Sequence, residues 1–171
     1  MSPDLDKNAR KTRGTGIQSM SIASVQAFFA EHASDLEVLE NSASTATVCE
    51  AANALGVAEG QIAKTLSLRV GDRVVLLVTR GDARLDNRKY KDQFGTKAKM
   101  LPASEVLEIT GHPVGGVCPF GLAQPLEVYC DISLRAFEEV FPAAGAPNAA
   151  VRIGTERLAE VTRAKWVDVT Q

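Results

Sequence analysis

Gly111-His112-Pro113-Val114-Gly115-Gly116-Val117-Cys118-Pro119-Phe120-Gly121-Leu122 places four glycines and two prolines within twelve residues. No regular helix or strand is built that way: glycine admits backbone geometry and close approach that a Cβ forbids, and proline fixes φ and removes a donor. The stretch reads as a rigid loop with exposed amides, suited to holding a ligand or to a tight crossover between a helix and a strand. Its flanks fit both uses. Ser104 to Ile109 has the pattern of a helix ended by Gly111, and Leu126 to Cys130 that of a buried strand.

Working outward, Val25, Phe28, Phe29 and His32 recur at helical spacing from Ser24 onward. Thr47-Val48-Cys49-Glu50 matches a capping box, and Gly56 suits the far end of that helix. Thr65 to Val70 and Arg73 to Thr79 are β-rich and joined by Gly71-Asp72, the sequence of a hairpin. Lys64 then falls just before a strand. Asp86 to Phe94 predicts a helix ended by Gly95, Phe137 to Phe141 and Ala150 to Ile153 predict strands, Thr155 is placed to cap a helix through Val161, and Trp166 to Val169 reads as a closing strand. Helices and strands mix without a βαβ repeat, which predicts an α+β fold.

At 171 residues and 45% hydrophobic content the chain suits one domain with a sizeable core. Residues 1–19 are polar and carry Lys7, Arg10, Lys11 and Arg13; they read as a disordered extension before a domain spanning 20–171, with a basic arm on RNA as the functional alternative. A formal net charge of -2 argues against a protein that coats nucleic acid through bulk charge. Locally, Arg80, Arg84, Arg88, Lys89, Lys91, Lys97 and Lys99 outnumber Asp82, Asp86 and Asp92, as expected of a phosphate-guiding flank or a solvated helix face. Three cysteines without metal-type spacing, and no apolar leader, predict a reduced cytoplasmic setting. No apolar run approaches the roughly 20 residues of a membrane span, and two distant histidines offer no metal shell.

Gln61-Ile62-Ala63-Lys64-Thr65-Leu66 together with the Gly115 to Pro119 run, which has the form GXXXP, resembles the signature of the YbaK and prolyl-tRNA-synthetase-associated editing domains. The resemblance covers about residues 22–170. It implies a single α+β domain with a mixed, mostly antiparallel sheet or pseudo-barrel flanked by helices. It also implies an aminoacyl-tRNA deacylase that hydrolyses the ester of a mischarged small amino acid, with tRNA for proline as the expected substrate. The partners implied are the acceptor end of that tRNA and, transiently, prolyl-tRNA synthetase; no cofactor and no metal are implied.

By that resemblance Lys64 is the essential lysine, anchoring the terminal nucleotide, and Gly115 and Gly116 supply backbone amides to the carbonyl oxygen, where fixed donors stabilise developing charge. Thr45 and Thr47 match a polar cluster near the adenosine, with helix capping as their alternative. Val117, Cys118, Pro119 and Phe120 border the aminoacyl pocket, His112 sits beside them, and Asp131 is the acid expected to meet the substrate ammonium or orient Lys64. Two other readings stay open: a silent module that binds tRNA or a nucleotide, and a hydrolase of small esters using Cys118 as nucleophile and His112 as base.

Overall fold

The computed structural model describes residues 21–171; the N-terminal extension lies outside them. The chain begins with helix α1 (residues 21–32), then a short strand β1 (Leu39–Glu40), α2 (Val48–Leu55), and the hairpin β2 (Ile62–Val70) and β3 (Arg73–Arg80). Helices α3 (Asn87–Phe94) and α4 (Ala103–Thr110) lead into the glycine-rich loop. Then come β4 (Glu127–Asp131), β5 (Glu139–Pro142), β6 (Ala149–Ala150), β7 (Ile153–Gly154), α5 (Thr155–Thr162) and β8 (Lys165–Val167).

Six strands form one mixed sheet in the order β7-β5-β2-β3-β4-β8, while β1 and β6 form a separate antiparallel ribbon. The longest pairing is the antiparallel hairpin, from Ala63 opposite Arg80 to Val70 opposite Arg73. The β5–β7 pair is antiparallel too, whereas β2–β5, β3–β4 and β4–β8 are parallel. This curled mixed sheet with its five helices is the single α+β domain that the sequence predicts.

Strand alternation sends the sheet's side chains into two separate cores. On one face Ala63, Leu76, Val78, Val128 and Cys130 pack with Val25 and Phe29 of α1, with Cys118 and Phe120 of the loop, and with Leu158 of α5. On the other, Leu68, Val75, Leu77 and Tyr129 meet Tyr90 and Phe94 of α3. A small third cluster sets Ala51 and Ala52 of α2 on Ile62 and Phe141.

Local chemistry explains most element ends. Thr47 caps α2 by accepting the Glu50 amide at 3.1 Å, and Asp86 caps α3 by accepting those of Arg88 and Lys89 at 3.0 Å each. Only half of the expected capping box forms, because the Glu50 carboxylate accepts the Ser44 hydroxyl at 2.6 Å instead of reaching back. Thr155 is the first residue of α5 rather than its cap: Gly154 holds that position and the Thr155 hydroxyl donates to the Phe137 carbonyl. The expected strand over 150–153 is two, β6 and β7. Strand β2 starts earlier than its β-rich run because the ladder to β3 continues to Ala63, so Lys64 lies within the strand and not ahead of it.

Candidate active site

One edge of β2 is paired with β3 along its length, but the other is interrupted. β5 covers it at Ile62 and Ala63, and a single bridge between Leu68 and Met100 covers it again further along. Ser67 accepts the Leu101 amide on that side, and Arg69 donates to the Lys99 carbonyl there. Backbone groups alternate in direction along a strand, so Thr65 directs its amide and carbonyl into the gap, where no strand pairs with it.

A cleft of about 280 Å³ occupies this gap. Its walls come from Thr45 to Val48 and Ala51 before and within α2, Ile62 to Thr65 and Ser67 of β2, the Met100 to Val106 segment entering α4, and Val114, Gly115 and Val117 of the loop. Phe141, Ala143, Ala149 and Ala150 complete it. Lys64 and the Gly115-to-Val117 run, far apart in sequence, thus border one small and largely apolar space.

Lys64 is half-buried and donates from Nζ to the Ala83 carbonyl at 2.6 Å. Burial pulls its pKa below the ordinary lysine value, Asp82 pulls it back up, and Arg84 lowers it further. The sheet register puts Lys64 on the face opposite to Thr65 and Ser67. Lys64 and the Thr65–Ser67 pair thus flank the β2 edge from opposite faces of the sheet.

The loop keeps its glycines for close approach. Gly115 holds φ 88°, and a Cβ there would come within 3.0 Å of Ala46 Cβ. At Gly116 a Cβ would lie 2.5 Å from the Ala146 backbone nitrogen, so only glycine lets the loop pack on that segment. The Gly116 amide, however, donates to the Pro113 carbonyl at 2.9 Å, and its carbonyl accepts the Gly145 amide at 3.0 Å. It is spent inside the fold, which removes Gly116 as a donor to substrate. The amides of Gly115 and Val117 have no acceptor among the described residues.

Thr45 and Thr47 border the cleft, but both hydroxyls are engaged: Thr45 Oγ1 donates to Pro147 O at 3.2 Å, and Thr47 is the α2 cap. His112, Cys118, Pro119 and Phe120 line no part of it and are buried. His112 Nε2 donates to the Phe120 carbonyl at 2.6 Å, which fixes the ring proton there, and Nδ1 accepts the Ser21 hydroxyl at 2.6 Å. Burial lowers the imidazole pKa against an opposing contribution from the Phe120 bond.

Cys118 Sγ does lie 3.5 Å from His112 Nε2, but that nitrogen already carries its proton toward Phe120. Desolvation pushes the thiol up to about 12. This pair is a buried structural contact, and the nucleophile-and-base arrangement is corrected accordingly. Asp131 is corrected as well. It is fully buried and accepts the amides of Ser133 at 2.9 Å and Val169 at 2.8 Å and the Thr170 hydroxyl at 2.7 Å, tying the end of β4 to the C-terminal segment. A strand-end carboxylate reads alike in sequence whether it faces a ligand or caps a turn. Among the described residues no cluster of His, Cys, Asp or Glu could hold a metal ion, and no helix is long and apolar enough to cross a membrane.

Sequence reasoning passed over Thr65 and Ser67. Among the described residues Thr65 Oγ1 is buried without a partner, and Ser67 is only 5% exposed. Their signal was the alternation Thr65-Leu66-Ser67-Leu68 within β2.

The curled mixed sheet thus sets the interrupted edge of its lysine-bearing strand β2 and the glycine loop around one cleft. Residues 42–161 match the family model described as the aminoacyl-tRNA editing domain, and the chain belongs to that family. It is 49% identical over 152 residues to the Bacillus subtilis strain 168 protein YwhH, a match covering 88% of this chain and 97% of that one. It is 34% identical over 104 residues to the proline–tRNA ligase of Bacillus licheniformis, a match spanning 60% of this chain and 18% of the ligase. Among solved structures, one described as a candidate trans-editing enzyme for prolyl-tRNA synthetase superposes with a TM-score of 0.82 at 35% identity, covering 88% of this chain and 97% of the other.

Proposed function

We propose that this protein is a free-standing aminoacyl-tRNA deacylase that removes a mischarged small amino acid from tRNA, with tRNA for proline as its substrate. The observation that carries this reading is the convergence of Lys64 with the open amides of Gly115 and Val117 on one small cleft. The family and the similarity to proline–tRNA ligase point to the same substrate.

The reaction needs three things: a hold on the terminal nucleotide, donors for the ester carbonyl, and a water. The Lys64 ammonium leaves the Ala83 carbonyl to anchor the terminal nucleotide. The Gly115 and Val117 amides, fixed before substrate arrives, take the negative charge that develops on the carbonyl oxygen. Water attacks the ester carbon, the C–O bond to the ribose breaks, and the ribose oxygen leaves with a proton. No protein nucleophile is involved, in keeping with the burial of Cys118. Exposed Arg84, Arg88, Lys91, Lys97 and Lys99, none in an ion pair among the described residues, offer phosphate contacts for the acceptor stem. A cytoplasmic location and transient association with prolyl-tRNA synthetase belong to the same proposal.

Second sieves of this kind exist because binding alone separates side chains differing by one methylene by only about 1–3 kcal/mol. The test is acyl release from tRNA for proline charged in turn with proline, alanine, cysteine and serine. Lys64→Ala is expected to lose roughly a hundredfold or more in rate, the usual scale for removing a charge-stabilising group. Retention of full activity in that variant would refute this site. No release from any charged tRNA would favour the silent binding module.

A further inference from the structure

We propose that Lys89 is a positioning residue for Lys64, acting through the backbone of residues 81–86. The inference rests on the deacylase reading, in which Lys64 is the working cation of the cleft. It gives one lysine of the basic stretch a task other than meeting phosphate.

Residues 81–86 run as a strap from the end of β3 to the cap of α3. Lys64 Nζ docks on the middle of it, donating to the Ala83 carbonyl at 2.6 Å. Where the strap begins, Gly81 is packed so closely that a Cβ would collide with the Glu59 and Ile62 carbonyl oxygens. From Asp82 to Asp86 no residue is fully buried, and of their side chains Leu85 packs against a core. Side-chain packing therefore does little to fix the backbone that receives Lys64. Main-chain contacts with the C-terminal segment fix it instead. The Asp86 amide donates to the Val169 carbonyl at 2.9 Å, Leu85 forms a β-bridge with Thr170, and the Gln171 amide donates to the Arg84 carbonyl at 3.0 Å.

The C-terminal segment is in turn held from two directions. From the sheet, buried Asp131 accepts the Val169 amide and the Thr170 hydroxyl. From α3, Lys89 Nζ donates to the Asp168 carboxylate at 3.0 Å and to the Thr170 carbonyl at 2.9 Å. Two of the three donors of this ammonium are thus committed within the fold. The Lys89 amide is itself bonded by Asp86, the last residue of the strap. Strap, helix start and C-terminal segment form a closed circuit, and the Lys89 head group is the link that joins the helix to the segment. Without it the segment stays tied to the sheet, but the Ala83 carbonyl loses its brace from α3.

Lys64 reports the strap's position through its own titration. Burial lowers its pKa, while Asp82 raises it and Arg84 lowers it from the strap itself. An ammonium released to water returns upward toward the ordinary lysine value of roughly 10.4. The measurement is the pH midpoint of Lys64 modification by acetic anhydride, read by peptide mass spectrometry on the full chain, in the wild type, Lys89→Met and Asp168→Ala. Both variants cut the same contact but remove charges of opposite sign. A field effect alone would move the midpoint up in the first and down in the second. The expected result is a rise in both, by about half a pH unit or more in Lys89→Met. Acyl release from charged tRNA for proline should fall roughly tenfold in that variant, as expected of a misplaced binding group, with urea unfolding transitions confirming that each variant is folded. A midpoint that stays put in Lys89→Met, or one that stays put or falls in Asp168→Ala, would overturn the proposal. So would a raised midpoint with release unchanged. If the wild type releases nothing from any charged tRNA while both midpoints rise, the positioning stands and the deacylase reading falls.

Discussion

The two halves of the Gly111–Leu122 loop have similar composition and opposite fates. Val114, Gly115 and Val117 face the cleft, and Val114 is 62% exposed. Cys118 and Phe120, a few residues on, are fully buried, with Phe120 edge-on to Phe29 at 4.8 Å. Gly116, within the cleft-facing stretch, has its amide and carbonyl both consumed by backbone. The buried half anchors the loop in the main core so that the open half can hold its amides still without partners of its own. Rigidity and availability in this loop are thus assigned to different residues.

Substitutions in each half separate these roles. Phe120→Ala empties a fully buried ring site and is expected to cost about 3–5 kcal/mol of unfolding free energy, measured by urea titration; a cost below 1 kcal/mol would mean the second half is not an anchor. Gly115→Ala imposes a side chain at φ 88° and is expected to cost a smaller amount, about 1–2 kcal/mol. Acyl release should nonetheless drop more steeply in Gly115→Ala than its stability loss explains. Full activity in that variant would dissolve the distinction.

The smallest effect concerns pH. His112 has its pKa lowered in the fold, so below the unfolded value of about 6.5 the unfolded chain binds a proton that the native protein refuses. Stability should therefore fall as pH drops through that window, and melting temperatures between pH 7.5 and 5 should decline less steeply in His112→Gln. An unchanged slope would show that the buried imidazole does not govern the anchor's acid sensitivity.

Periodicity and turn chemistry made most of the fold legible. Asp86 and Gly95 bracket α3, Gly71-Asp72 closes the hairpin, and Gly111 ends α4, because these ends are set by local backbone geometry. Strand order was not legible, since parallel partners such as β3 and β4 are joined by long connections. At the site, Lys64 and Gly115 carry strong local signatures, and the structure brings them to one cleft. His112, Cys118 and Asp131 were misplaced for one shared reason. A polar side chain that is satisfied internally and one that awaits a ligand look the same until its neighbours are known. Thr65 and Ser67 show the converse, being ordinary strand residues until the missing partner on the β2 edge is seen.

That interruption of the β2 edge also bears on self-association. An uncovered strand edge is a template for another chain, and proteins ordinarily shorten, charge or cover it. Here Phe141 and Met100 close in from either side. What stays open is about one residue wide, too short to recruit a neighbouring strand. The same dimension that admits a lone acyl group shuts out a polypeptide.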